Sequence, residues 1–309
     1  MTLPPLLVIA GPTATGKTEL AIRVAEALRA EGTSAEIISA DSRQVYRGLD
    51  IGTAKPGAED RSRAPHHGLD LAEPDQRFSV ADFAEHARDV LAALASRGGL
   101  AILAGGSGLY LRTIARGLDT EALPHDAVVR ARIESELTQG GLPAAAGRLA
   151  IIAPSRAART DLRNPRRVAR ALELAELIGD GPPPPARGYD GPVAWLGLDL
   201  EPATHASWIA ARARAQFDAG LADEARVLRE RYEPSSPAFS AIGYREAWAL
   251  LDGDVTREEA IDQDAKRNVA FAKRQRTWFR AEPEIEWLDA RSDALPRSLE
   301  IARRLLVRG

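Results

Sequence analysis

Residues 6–18 read LLVIAGPTATGKT, an apolar run of five followed by Gly11, Pro12, Thr13, Ala14, Thr15, Gly16, Lys17 and Thr18. The second half fits the spacing G-x-x-x-x-G-K-[ST], and the first half is a short buried-strand pattern leading straight into it. Glycines at both ends let backbone N–H groups turn inward around phosphate oxygens. Lys17 then reaches a terminal phosphate, and the Thr18 hydroxyl is suited to ligate Mg²⁺. From Thr18 to about residue 29, Leu20, Ala21, Val24, Ala25 and Leu28 fall on one helical face. A strand before the motif and a helix after it predict a phosphate-binding P-loop. The motif specifies a ligand containing pyrophosphate; it does not specify ATP.

Two further strand-like runs follow, IISA at 37–40 and LAILA at 100–104, with a helical pattern over 80–95 before the second. Alternating strand and helix predicts right-handed βαβ units, hence an α/β fold with a P-loop NTPase-like parallel sheet core. Asp41 and Ser42 come directly after the second run, and Gly105-Gly106-Ser107-Gly108 after the third. Ligands of parallel sheets bind at the carboxyl ends of strands, so these loops are expected to converge on one crevice with the P-loop. Spacing leaves Asp41 two roles, a Mg²⁺-holding carboxylate or a general base facing a nucleophile. Ser107 is either a turn residue or a hydrogen-bonding partner of a substrate. Lys55, in IGTAKP at 51–56, lies in a surface turn or at the same edge. His66 and His67 lack acidic or thiol companions at ligand spacing, which argues against a metal site there.

Between 119 and 187 the strand-like runs stop and helical patterns take over, at about 128–139, 142–151, 155–160 and 165–178. The block closes on a stiff connector, GDGPPPP at 179–185. Beyond it come a strand at 192–200, helices at about 205–232, 244–251 and 257–280, a strand at 284–289 and a terminal helix. The expected organisation is a core from 1–118 and 188–309, with a helical insertion domain at 119–187.

The chain has 309 residues, 45% hydrophobic and 28% charged, and no cysteine, which excludes disulfides and thiolate metal sites. No apolar run approaches bilayer length and no basic leader precedes the first strand, so a cytoplasmic protein without membrane contact is expected. Net charge is −3, yet residues 156–170 carry six arginines against one acid, and 266–280 carry six basic residues and no acid. Two such stretches in an acidic chain predict a charged face for nucleic acid, against the plainer reading of solvated helices. Arg163, Arg166, Arg167 and Arg170 have the i, i+3, i+4, i+7 spacing of one helical face, suited to a phosphate backbone. Lys266/Lys273 and Arg267/Arg274 repeat at i, i+7, as do Phe271 and Trp278, whose plainer reading is core. Of 41 basic residues only Lys17, Lys55, Lys266 and Lys273 are lysine.

All four lysines fall in or beside motifs that carry a family resemblance. The chain resembles the bacterial tRNA dimethylallyltransferases along nearly its whole length. The matching pieces are GPTATGKT (11–18), DSRQVYRGLDIGTAKP (41–56), PHHGLD (65–70), FSVADF (78–83), GGSGLYL (105–111), NPRRVARALEL (164–174), IGYREAW (242–248) and KRQRTWFR (273–280). The resemblance implies that residues 11–18 hold the pyrophosphate of dimethylallyl pyrophosphate together with Mg²⁺ at Thr18. It implies that Asp41 takes a proton from N6 of adenosine 37 in a tRNA anticodon stem-loop, with Ser107 at the same centre. Lys17, Mg²⁺ and arginines would meet the leaving-group charge. The target base must be flipped into the crevice. Asp41, Ser42, Arg43 and Gln44, with Arg163, Arg166, Arg167 and Arg170 and with Lys273 and Arg274, would touch the tRNA, and the insertion would clasp its stem. A monomer is expected.

Two positions depart from the family pattern. Ser107 stands where threonine is usual, keeping the hydroxyl. Trp208-Ile209 stands where Arg-Ile is usual, so Arg212 or Arg214 would supply the missing cation near the pyrophosphate, with Arg212 the expected donor. The competing readings are a P-loop small-molecule kinase, a prenyltransferase acting on free adenylates, and a silent RNA-binding protein. The basic insertion argues against the first two, and the intact P-loop with Asp41 against the third.

Overall fold

The computed structural model describes residues 3–119 and 123–308. The chain divides into two units, one made of Met1–Gly117 with Gly188–Gly309 and the other of Leu118–Arg187. In the first unit lie strands β1 (Leu6–Ala10), β2 (Ala35–Ser39), β3 (His66–His67), β4 (Leu100–Gly105), β5 (Val193–Asp199) and β6 (Ile285–Asp289). They form one sheet in the order β3-β2-β4-β1-β5-β6, with all neighbours parallel. A parallel sheet is covered on both faces, which is why β1, β2 and β4 are wholly buried along their length and apolar or small except at Glu36, which is paired with His67 and Arg97.

The helices of this unit are α1 (Lys17–Ala30), α2 (Ala58–Arg63), α3 (Val80–Ala95), α4 (Gly108–Ala115), α8 (Pro202–Asp218), α9 (Leu221–Arg231), α10 (Tyr244–Leu251), α11 (Arg257–Arg280) and α12 (Leu295–Arg308). Alternation along β1 sends Leu6, Val8 and Ala10 into a core shared with α3, α4 and α8 to α11. Leu7 and Ile9 enter a second core shared with α1 and α12. The sheet is thus the middle of three layers, the α/β arrangement expected from the sequence.

Several elements differ from the sequence-based expectation. The single helix expected over 205–232 is two, because Gly220 adopts φ 99° between the end of α8 at Asp218 and the start of α9 at Leu221. Helices α2 and α4 and the two-residue edge strand β3 are additional to the expected elements; α2 and β3 are too short to show a period, and α4 begins at the last glycine of a stretch that reads as a turn.

The second unit contains α5 (Ala127–Ile152), α6 (Pro154–Ala158) and α7 (Pro165–Ile178). Gly141, at φ 77°, breaks α5 into two segments where the sequence predicts two helices. Asp126 and Asn164 cap α5 and α7 by accepting backbone N–H groups. Ile133, Leu149, Val168 and Leu172 form a core of the unit's own. Glu173 is fully buried beneath Arg170, which donates to it at 2.8 Å, and His125 Nδ1 at 2.6 Å. Among the described residues no helix is long and apolar enough to cross a membrane.

Candidate active site

Three loops leave the carboxyl ends of β1, β4 and β2, which are adjacent in the sheet. The loop after β1 is the expected P-loop. Gly11 has φ 145°, and a Cβ there would lie 2.4 Å from the carbonyl oxygen of Leu198, so only glycine fits against β5. Gly16 takes φ 81° and caps α1, aiming the helix's free N–H groups into the loop. Thr15 Oγ1 and Lys17 Nζ both donate to the Pro12 carbonyl, at 3.0 and 2.5 Å, folding the loop on itself. Burial lowers the pKa of the Lys17 ammonium to about 7; the nearby Arg212 charge acts in the same direction, and Asp41 opposes them. Two desolvated cations beside one carboxylate make a pocket suited to a polyanion.

Asp41 follows β2. Its Oδ1 accepts the Arg43 N–H at 2.8 Å, a local turn that fixes the carboxylate. Ser107 Oγ accepts the Ser42 N–H at 2.9 Å, and Ser107 N–H donates to the Ala40 carbonyl at 3.0 Å. The glycines around Ser107 are required by close approach. A Cβ on Gly105 would meet Ala40 O at 2.1 Å, and one on Gly108 would meet the Trp278 ring at 2.4 Å. The structure therefore brings Asp41, Ser42 and Ser107 together beside the P-loop, as the crevice expectation requires.

The rest of the 41–56 loop is held from α8, α9 and α10. Glu224 accepts the N–H groups of Asp50, Ile51 and Gly52 and the Tyr244 hydroxyl. Gln216 donates to the carbonyls of Ile51 and Gly52. Lys55 is buried and donates to Tyr46 O, Asp50 and Asp70, each at 2.7 Å. It is a strut of the loop, neither a surface turn nor a site residue. Gln44 is also turned inward: its amide accepts from Ser39 Oγ and donates to the carbonyls of Thr53 and Ala54. Its side chain shapes the loop and has no polar atom left for RNA. Arg43 reaches Pro237 O and Ser240 Oγ, in a short 3₁₀ turn.

Three side chains converge on Thr13, the expected Arg212 and two that sequence reasoning missed, His205 and Gln275. Gln275 Oε1 accepts the Thr13 N–H at 2.8 Å, His205 Nε2 donates to the Thr13 carbonyl at 2.8 Å, and Arg212 donates to its hydroxyl at 2.9 Å. Behind His205, Arg276, also missed, donates to its Nδ1 at 3.0 Å and pairs with Asp199. The two bonds fix His205 as the Nε2–H tautomer, and burial lowers its pKa. Arg214, the alternative to Arg212, instead pairs with Glu258 at the surface. Arg212 is therefore the arginine of the P-loop, one helical turn after the half-exposed Trp208.

An apolar groove of about 470 Å³ opens beside Ser107, lined by Phe78, Val80, Leu109, Phe271 and Trp278 with Arg274 at its side. Phe271 and Trp278 thus face the crevice and are not core alone. Lys273 and Arg274 are exposed on α11, with Arg274 over the Phe271 ring. The four arginines of the second unit do not form one helical face. Arg163 precedes the α7 cap, Arg166 and Arg167 are exposed in its first turn, and Arg170 is tied to Glu173 and to the carbonyls of Leu123 and Pro124.

Among the described residues no cluster of three or more His, Cys, Asp or Glu side chains could hold a metal ion. The Thr18 hydroxyl, beside the anion loop, is exposed in the first turn of α1. That fits a hard cation such as Mg²⁺, which takes few protein ligands and the remainder from phosphate oxygens and water. His67 instead faces Glu36, and His66 the Ala64 carbonyl.

A parallel α/β core with an anion loop opposed by a carboxylate places the chain in the class of P-loop proteins, built to hold a pyrophosphate group. Within that class, residues 44–282 match the family model of IPP transferase, and the chain belongs to the IPP transferase family. It is 44% identical to a tRNA dimethylallyltransferase of Anaeromyxobacter sp. (strain K), covering 97% of both chains. It is 42% identical to one of Thermus thermophilus, covering 89% of each. The full-length tRNA isopentenylpyrophosphate transferase of Bacillus halodurans superposes with a TM-score of 0.70 at 36% identity, over 98% of this chain and 96% of that one. A eukaryotic dimethylallyltransferase acting on tRNA shares the fold, with a TM-score of 0.75 at 23% identity over 97% and 77% of the two chains.

Proposed function

We propose that this chain transfers a dimethylallyl group from dimethylallyl pyrophosphate to N6 of adenosine 37 in the anticodon loop of tRNA, releasing pyrophosphate. The observation that carries the reading is a desolvated Lys17–Arg212 anion loop set beside Asp41 and the Ser42–Ser107 contact at the carboxyl ends of adjacent strands, in a chain of this family. The loop of residues 11–18 would hold the pyrophosphate through its free backbone N–H groups beyond Thr13, with Lys17 and Arg212. Thr18 would hold Mg²⁺, which when bound adds positive charge to the leaving group.

N6 attacks the allylic carbon as the carbon–oxygen bond to pyrophosphate breaks, the bonding pair leaving with pyrophosphate. Asp41 accepts the N6 proton, with its carboxylate oriented by the Arg43 N–H. Lys17 and Arg212 stabilise the charge developing on the leaving oxygen. The adenine is flipped from its stack to reach the crevice. Ser42, Arg43, Lys273 and Arg274 contact the loop, and Arg166 and Arg167 contact stem phosphates.

Asp41→Ala tests the central role. Turnover with an anticodon stem-loop should fall by a factor of about 10²–10⁴, while RNA affinity stays within about threefold. Equal loss of turnover and RNA binding would show Asp41 to be a docking residue.

A further inference from the structure

Gln275 commits both ends of its side-chain amide to the main chain of the two facing loops. Thr13 N–H donates to Oε1 at 2.8 Å and Nε2 donates to the Gly106 carbonyl at 2.9 Å. The side chain is buried, with 7% of its surface exposed. A Cβ on Gly106 would stand 2.3 Å from Nε2, so that loop approaches the amide as closely as glycine permits. A neutral, planar group that accepts on one side and donates on the other is what an amide supplies.

The bridge continues to the carboxylate. Gly106 precedes Ser107, whose Oγ accepts the Ser42 N–H, and Ser42 adjoins Asp41. One unbroken path runs from the pyrophosphate loop through Gln275 to the proton-accepting side. Each loop also has supports of its own, Thr15 and Lys17 on Pro12 for the first and Ala40 against Gly105 for the second. The amide is therefore not needed to fold either loop; it sets one against the other.

We propose that Gln275 is a positioning residue that fixes the separation between the donor loop and the acceptor loop, and so the distance over which N6 meets the allylic carbon. This rests on the transfer reading above. Misplacing reacting atoms by about 1 Å costs roughly 100-fold in rate, whereas binding of either substrate alone does not depend on that separation.

The test is Gln275→Met, which keeps the volume and removes both hydrogen bonds, compared with wild type for kcat of transfer. The same two proteins are compared for affinity toward inorganic pyrophosphate with Mg²⁺, for affinity toward the stem-loop, and for melting temperature. Gln275→Asn keeps a neutral amide but is one methylene shorter, so it cannot span from Thr13 to Gly106, and it serves if the methionine variant melts early. The expected result for both is a kcat about 100-fold lower with affinities within about threefold. An unchanged kcat, or pyrophosphate affinity falling in step with kcat, would overturn the bridge while leaving the transfer reading intact. A wild-type chain that transfers nothing to RNA would overturn both.

Discussion

Lys17 shows how burial prepares a single residue for its ligand. Its pKa is held at about 7 by desolvation and by Arg212, with Asp41 pulling the other way. At about pH 8.5 the free protein therefore carries Lys17 mostly neutral. An ionised pyrophosphate ester beside it favours the charged form and raises that pKa, so binding takes up a proton. Calorimetry of dimethylallyl pyrophosphate binding in buffers of different ionisation enthalpy should show net proton uptake near pH 8.5 that fades toward pH 6. No uptake would mean that Lys17 is already charged in the free protein. Gln44 shows the opposite case, a residue near Asp41 whose amide is spent on Ser39, Thr53 and Ala54. Gln44→Ala should lower stability by about 1–3 kcal/mol and leave direct RNA contacts untouched, as thermal melting and filter binding would distinguish.

At the scale of elements, the site exists because β2, β4 and β1 end side by side, with the β4 loop pressed directly on the β2 loop at Gly105 and Ala40 and joined to the β1 loop through the Gln275 amide. Gly105→Ala would press a methyl into the Ala40 carbonyl at 2.1 Å, forcing β4 away from β2. A loss of about 2 kcal/mol or more is expected, read as a lower melting temperature and reduced turnover together; an unchanged melting temperature would contradict the packing argument. The P-loop, Asp41 and the parallel core were legible because each is local, a motif of eight residues or a strand ending in a polar pair. His205 and Arg212 were not legible as partners of Thr13, since contacts across 192 and 199 residues leave no local pattern. Gln275 did leave a trace. Ala272, Gln275 and Phe279 are all buried on α11 at i, i+3 and i+7, and a polar residue on the apolar stripe of a helix calls for a buried partner. The helical face of four arginines failed because the Asn164 cap starts α7 after Arg163, and because buried Glu173 claims Arg170.

For the whole molecule, a net charge of −3 coexists with RNA recognition only if positive charge is concentrated. Salt dependence is the readout of that concentration. Replacing Arg166 and Arg167 together should weaken stem-loop binding and flatten its logarithmic salt slope by about 1.4–1.8, about 0.7–0.9 for each phosphate that is no longer neutralised. Arg170→Ala should behave differently, destabilising the second unit by on the order of 3 kcal/mol because it strips a partner from a buried carboxylate. An unchanged slope in the double variant would remove that helix start from the RNA interface.

The most direct measurement is transfer of label from dimethylallyl pyrophosphate, with Mg²⁺, to three acceptors offered in parallel: an unmodified anticodon stem-loop with adenosine at position 37, AMP, and ATP. Label in the stem-loop alone, lost when that adenosine is changed to guanosine, is the predicted result. Label in AMP or ATP, or none anywhere with ATP hydrolysed instead, would contradict the account.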